Sequence, residues 1–322
     1  MTEILSPDDP GLARAAVLLR SGALVAFGTE TVYGLGADAT NAEAVARIFA
    51  VKERPRFNPL ICHYPCADAA FRDVTSNPMA CRLAEVFWPG PLTLVLPRRP
   101  DCLVALLTGA GLDSLAVRVP APPITQKVLR SVGRPIAAPS ANRSGRVSPT
   151  SCAHVLEELG GRIDAILACG LCNLGIESTI IDLSRDAPVL LRPGGATREA
   201  IEAVLGMPLS TIVAGEKTLR SPGMLASHYA PGLAVRLGAT AIAPDEALLA
   251  FGPPPPGASL VYSLSDSGDL LEAAARLFSG LRELDAEGTR LGLKAIAAMP
   301  VPEAGLGEAI NDRLRRAAAP RA

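Results

Sequence analysis

Three short stretches of this 322-residue chain crowd polar and charged side chains into loops fenced by proline and glycine. The first, GTETVYGLG at 28–36, sets Thr29, Glu30, Thr31 and Tyr33 between glycines. In the second, Lys52 and Arg54 leave the end of an expected helix and are followed by Pro55, Asn58 and Pro59. Two cations one residue apart, on a backbone restricted by prolines, suit an anion that offers several oxygens, such as a polyphosphate. The same pair would also offset the partial negative charge at a helix C-terminus, and the segment alone leaves both readings open. The third stretch, PSANRSGRVSPT at 139–150, brings serine and threonine hydroxyls, Asn142 and two arginines. These are donors for phosphate or ribose, or equally the makings of a solvated turn.

The common signatures of nucleotide and hydrolase chemistry are absent: no GxxxxGK[ST], no GxGxxG after a strand, no GxSxG and no HExxH occurs. A nucleotide site here would be of a rarer kind, without a protein nucleophile. His63, His154 and His228 are too few for a metal hydrolase built on clustered histidines. Cys62 and Cys66 flank His63 and Tyr64, while Cys169 and Cys172 form CGLC. Those four thiols could hold zinc, or the CxxC is coincidental.

Alternating elements must place these loops. Leu12, Ala15, Ala16 and Leu19 recur at helical spacing behind Asp9 and Pro10, with Gly22 as a stop. ALVAF at 23–27 reads as a strand leading into 28–36 as a loop, and Thr40 with Glu43 reads as a capping box for a helix ending near Val51. Strands are predicted at 60–63, 92–96, 115–119, 165–169, 178–183 and 188–192, and helices at 78–87, 124–132, 150–159 and 197–205. Together they predict a mixed α/β domain over 1–208. Residues 209–232 hold SPGM and HYAP without a sustained period, which predicts an interdomain linker, either a lid or a passive tether. Over 233–322, strands at AVRLG, SLVYSL and LKAIAA with helices near 245–251, 270–285 and 306–317 predict a smaller βαβ domain.

Composition narrows the function classes. With 31 Lys+Arg against 32 Asp+Glu the net charge is −1, which argues against a broad nucleic-acid-tracking surface. Hydrophobic residues make up 49%, enough for sizeable cores and incompatible with intrinsic disorder. No apolar run approaches the roughly 18–20 residues of a membrane span, and the acidic start MTEILSPDD is unlike a signal peptide. Seven cysteines, an odd number spread through a long stretch of chain, point to a reducing cytoplasm.

The loops and strands, taken in order, resemble the Sua5/YciO/YrdC family, the threonylcarbamoyl-AMP synthases. TETVYGLG, KERPRFNPLICH, WPGPLTLVL, LAVRVP, APSANRSGRVSPT, GIESTIIDL and LLRPGG follow the family's order, and SPGM and HYAP come after them. The likeness spans nearly the whole chain and favours the long form. It implies a mixed twisted-sheet N-terminal domain and a Rossmann-like second domain. It further implies that L-threonine, bicarbonate and ATP are joined into threonylcarbamoyl-AMP with loss of pyrophosphate. Mg2+ would accompany ATP, no organic cofactor would be needed, and the product would pass to the machinery that modifies tRNA, with at most a weak tRNA contact and no membrane. By resemblance, Lys52, Arg54, Asn58, Ser114, Ser140, Asn142, Ser148, Arg192 and Tyr229 face ATP. Thr31, His63, Arg118, Ala138 and Ser178 face threonine. Arg118 lies in a strand pattern, where a substrate carboxylate would satisfy a buried guanidinium, whereas an outward-pointing one would simply be solvated. His63, judged by its strand alone, reads as a core histidine. Rival readings are carbamoyl-adenylate chemistry on another acceptor and a double-stranded RNA or tRNA binding module. The chain departs from the family at Gly28, Ala121 and Leu225, where many members have Pro, Asn and Lys.

Overall fold

The computed structural model describes residues 1–211 and 228–320. Its contacts divide the chain into two units. In the first, β1 (Glu3–Leu5), α1 (Asp9–Arg20), β2 (Val25–Gly28) and β3 (Tyr33–Asp38) come first, followed by α2 (Ala42–Lys52), β4 (Ile61–His63), α3 (Ala67–Phe71) and α4 (Pro78–Phe87). Then come β5 (Leu92–Pro97), β6 (Ser114–Arg118), α5 (Pro123–Val132), β7 (Ile136–Ala137), α6 (Cys152–Leu159) and β8 (Ala165–Leu167). β9 (Thr179–Asp182), β10 (Val189–Arg192), α7 (Arg198–Leu205) and β11 (Ser210–Thr211) complete it. The strands form one mixed sheet in the order β1-β8-β2-β3-β7-β4-β6-β5-β9-β10-β11.

Both faces of this sheet are covered, which explains why ALVAF is apolar throughout rather than alternating. Val25 and Phe27 pack with Leu12, Ala15 and Leu19 of α1 and Val128 and Leu129 of α5. Leu24 and Ala26 point the other way, into the larger core with Val45, Ile48 and Phe49 of α2. α1 starts as its sequence predicts, with Asp8 Oδ1 accepting from the Gly11 amide at 2.9 Å. α2 differs: Asn41 is its cap, accepting from Glu43 N at 3.0 Å and Ala44 N at 3.1 Å. Thr40 turns instead to Asp38, donating to Oδ1 at 2.7 Å.

The stretch 28–36 is not all loop, because Tyr33–Asp38 forms β3, antiparallel to β2 with Phe27 opposite Gly34. Glycine disguised that strand, yet it is needed there: a Cβ on Gly36 would fall 2.5 Å from Phe27 Cε1. The short strand β1, parallel to β8, was also unsignalled.

The second unit holds the described residues from His228 onward together with Gly145–Ser148 and Asn173–Ile176. Both segments fall within the 1–208 range expected for the first domain, yet they group with the C-terminal residues. Within it, β12 (Ala234–Arg236), β13 (Glu246–Phe251), β14 (Val261–Ser265), α8 (Leu270–Arg290), β15 (Ala295–Ala298) and α9 (Leu306–Ala318) follow in sequence. The sheet runs β12-β15-β13-β14 with every pair parallel, in agreement with the βαβ expectation. Of residues 245–251, expected as a helix, Glu246–Phe251 form β13 and are buried along almost their whole length, so their apolar run carried no period that could tell strand from helix. Most of the expected linker, 212–227 with SPGM, lies outside the described residues, and with it the choice between lid and tether. Its flanks belong to the two units: Ser210 and Thr211 pair with β10, and the His228 amide donates to Arg316 O at 3.2 Å. Among the described residues no helix is long and apolar enough to cross a membrane.

Candidate active site

β4 and β6 run parallel with His63 opposite Arg118, each the last residue of its strand, so both side chains leave the same face. Each residue is 3% exposed. Burying a guanidinium costs several kcal/mol unless partners surround it. Here Arg118 Nε donates to Gly90 O at 3.2 Å and Nη1 donates to Thr31 Oγ1 at 3.0 Å. Nη2 lies 2.7 Å from Glu30 Oε1, but the two are misaligned, and both atoms are buried without a hydrogen bond. A carboxylate of the chain itself thus stands where one was expected from a substrate. Glu30 is held from its other oxygen, Oε2 accepting from Ala121 N at 3.2 Å. Thr29 Oγ1 lies 2.8 Å from Thr31 Oγ1 and donates to Val32 O at 2.7 Å, which fixes the 29–32 turn.

His63 is neutral. Burial, reinforced by the Arg118 cation, lowers its pKa from 6.5 to about 3, and its Nδ1 is buried without a hydrogen bond. Ala138 sits beside this pair, its amide donating to Ile61 O at 3.0 Å, and a Cβ placed on Gly34 would come 3.1 Å from Ala138 Cβ. Ser178, just ahead of β9, places its Oγ 2.8 Å from Thr93 Oγ1. Arg192, the last residue of β10, donates to Ser178 O from Nε at 3.2 Å and from Nη2 at 2.9 Å. Segment 90–93 joins the two groups: Gly90 N donates to Val119 O at 2.8 Å and Thr179 N to Pro91 O at 2.9 Å.

The cation pair behaves differently from a bare phosphate clamp. Lys52 is 1% exposed, and its Nζ donates to the carbonyls of Ser140, at 2.5 Å, and Asn142. It fastens the 139–144 loop to the end of α2, and the Ser144 amide returns the link to Lys52 O at 2.9 Å. Burial and then Arg54 push the Lys52 pKa well down, with Glu158 opposing. Arg54 closes its own turn, donating to Asn58 O at 3.2 Å and Pro59 O at 3.0 Å. The Asn58 side-chain amide is buried with neither atom hydrogen-bonded, the kind of unmet polar group a ligand satisfies. This loop meets the 29–33 turn, since Ala141 N donates to Tyr33 O at 2.8 Å and Ser140 bridges Gly34.

Ser114 does not join this group. Ser114 opens β6, four positions before Arg118 and therefore roughly 13 Å away along the strand. It lines a separate cavity of about 300 Å3 with Pro97, Leu112, Asp113 and Ser184. Ser148 and Tyr229 belong to the second unit and are buried there. Tyr229 has a left-handed φ of 60°, stacks on Phe278 at 5.5 Å between centroids, and has the Arg313 guanidinium 5.3 Å from its ring. Among the described residues no group of three or more His, Cys, Asp or Glu is arranged to hold a metal ion. Burial raises Cys62 well above its usual range, Cys169 to about 11 and Cys172 to about 12, so these are thiols at neutral pH.

Residues 17–194 match the Sua5/YciO/YrdC family, described as Telomere recombination, and 196–319 match the Threonylcarbamoyl-AMP synthase, C-terminal domain. A threonylcarbamoyl-AMP synthase of Bacillus subtilis is 40% identical over 344 residues, covering 99% of this chain and 96% of that protein. The chain belongs to the Sua5/YciO/YrdC family. The crystal structure of Pyrococcus abyssi Sua5 complexed with L-threonine is similar at a TM-score of 0.89 and 39% identity, covering 99% of this chain and 97% of that one. Escherichia coli YciO, at 22% identity over 60% of this chain and a TM-score of 0.53, shares the fold. Glu30 and Gly90, which touch Arg118, and Thr93, which touches Ser178, were given no site role from the sequence. Glu30 lay inside the TETVYGLG motif and carried a signal; Gly90 and Thr93 act through backbone and strand contacts that no motif marks.

Proposed function

We propose that this family member joins L-threonine, bicarbonate and ATP into threonylcarbamoyl-AMP and pyrophosphate, in the cytoplasm, for transfer to tRNA adenosine. The observation that carries the reading is the buried Arg118 fork beside Thr31 and neutral His63. Arg118 takes the threonine carboxylate. His63, lacking a partner at Nδ1, has a ring nitrogen to offer the threonine hydroxyl, Ser178 adds a further hydroxyl, and Ala138 offers its methyl to that of the substrate. The amine attacks a bicarbonate-derived carbon, and the resulting carbamate oxygen attacks the α-phosphorus as the bond to pyrophosphate breaks. Both nucleophiles belong to the substrate, so the protein aligns them and offsets phosphate charge. Lys52, Arg54, Asn58, Ser140, Asn142 and Arg192 serve the nucleotide, with Lys52 and Arg54 also holding the loops that present it. Mg2+ enters with the triphosphate as its charge partner.

The test incubates the protein with ATP, labelled bicarbonate and each amino acid in turn, and follows the adenylate and pyrophosphate. Threonine should lead. Serine should lose only a methyl contact of about 1–3 kcal/mol, while valine, which leaves polar groups unpaired, should fail more severely. Arg118→Lys should raise the threonine KM by roughly 10- to 100-fold, because a point charge cannot reproduce a planar fork. Valine matching serine, or an unchanged KM in that variant, would overturn the assignment. Salt-dependent tRNA binding with no ATP turnover would favour an RNA-binding module.

A further inference from the structure

We propose that Glu30 receives the α-ammonium group of L-threonine and takes its proton, so that this carboxylate is the general base for carbamate formation. The proposal rests on the reading that Arg118 binds the substrate carboxylate. An α-amino acid is a zwitterion whose ammonium nitrogen and nearer carboxylate oxygen are held on the order of 3 Å apart by covalent geometry. Its complement is a cation and an anion at a similar spacing. Arg118 Nη2 and Glu30 Oε1 stand 2.7 Å apart, with side chains only 4% and 14% exposed.

The state of these two atoms points to a ligand. Each is buried and neither has a hydrogen bond, although they are in ionic contact. The amino acid supplies both at once, a carboxylate oxygen to accept from Nη2 and an ammonium hydrogen to donate to Oε1. Glu30 need not give up its anchor to do this, since Ala121 N holds the other oxygen, Oε2. Arg118 likewise keeps Gly90 and Thr31 while it shares Nη2.

The chemistry demands such a group. Threonine at neutral pH carries an ammonium, which has no lone pair to attack carbon. Transfer of one proton to Glu30 frees the amine, whose lone pair forms the N–C bond to bicarbonate carbon. The C–OH bond of bicarbonate breaks, and its hydroxide leaves as water with the second proton from nitrogen. Ammonium, bicarbonate and ionised Glu30 thus become carbamate, water and protonated Glu30, which releases its proton to solvent before the next turnover.

The test measures calorimetric binding of L-threonine and of 2,3-dihydroxybutanoate, the analogue with an uncharged hydroxyl in place of the ammonium group, to the full chain, alongside pyrophosphate release. Glu30→Gln should weaken L-threonine about tenfold or more yet leave 2,3-dihydroxybutanoate within about threefold, because only the former has an ammonium to lose. Its kcat should fall about 100-fold or more, with Glu30→Asp recovering part of both. If Glu30→Gln binds L-threonine as well as or better than wild type, Glu30 merely plugs the fork and the proposal is wrong. Equal loss of both ligands would also overturn it, reducing Glu30 to a prop for Arg118. Arg118→Ala should lose both ligands. Its keeping both would strike the carboxylate assignment beneath the proposal, a failure distinct from the two concerning Glu30.

Discussion

Lys52, expected from the sequence to meet a polyphosphate or to offset a helix end, is buried and bonded to backbone. Its ammonium is spent on the Ser140 and Asn142 carbonyls, so Lys52→Met should leave two buried acceptors unmet, at about 1–3 kcal/mol. Thermal unfolding should fall and the ATP KM should rise together. An unchanged melting temperature with a raised KM would mean that Lys52 meets only the nucleotide. His63 makes a pH prediction. Burial and the Arg118 cation hold its pKa at about 3 in the folded protein, against the ordinary 6.5 of a solvated histidine in the unfolded chain. Between those values the unfolded state binds more protons, so stability falls as pH drops below about 6.5 and is flat above it with respect to this group. At pH 4.5 the loss should be roughly 2–3 kcal/mol relative to pH 7, and His63→Asn should remove that part of the slope in urea titrations. Parallel slopes in the two proteins would show that His63 does not titrate in this way.

The strands act through where they end and how closely they approach. Arg118 and His63 close neighbouring parallel strands, and Arg192 closes β10 against the residues before β9. That last contact depends on Gly194, whose place a Cβ could not take: it would lie 2.3 Å from Glu177 O and 2.5 Å from Thr179 N. Backbone atoms cannot yield as a flexible side chain would. Gly194→Ala should therefore cost about 1–3 kcal/mol or more, and it should loosen the Arg192 to Ser178 contact. Combined loss of stability and of nucleotide affinity is the expected outcome; a variant matching wild type in both would show that the segment shifts freely. At this scale the sequence was legible where apolar runs or caps were strong, as in α1, α4 and β5. It misled where glycine filled a strand, as in β3, and where burial on both faces erased the period, as in β13.

For the molecule as a whole, a net charge of −1 provides little long-range attraction for a polyanion, and the proposed chemistry needs no RNA. Pyrophosphate release should proceed without tRNA and keep its rate when tRNA is added, and filter binding should be weak and lost as salt rises from 50 to 200 mM, roughly as counterion release dictates. A several-fold stimulation by tRNA would show a direct role for RNA. The order of motifs pointed to the family and the mixed α/β class, because those follow from local pattern and side-chain chemistry, whereas Thr31, His63, Ala138 and Ser178 were named around Arg118 through that resemblance alone. Tertiary structure alone decided that Lys52 binds backbone carbonyls, that Ser114 stands at the far end of β6, and that Gly145–Ser148 belongs to the second unit. It alone seated Glu30 against Arg118, because those residues are 88 positions apart and meet through the 29–32 turn and the sheet order β2-β3-β7-β4-β6. Which donor meets which acceptor is set by distance in space, and a linear pattern carries the types of the groups without their separations.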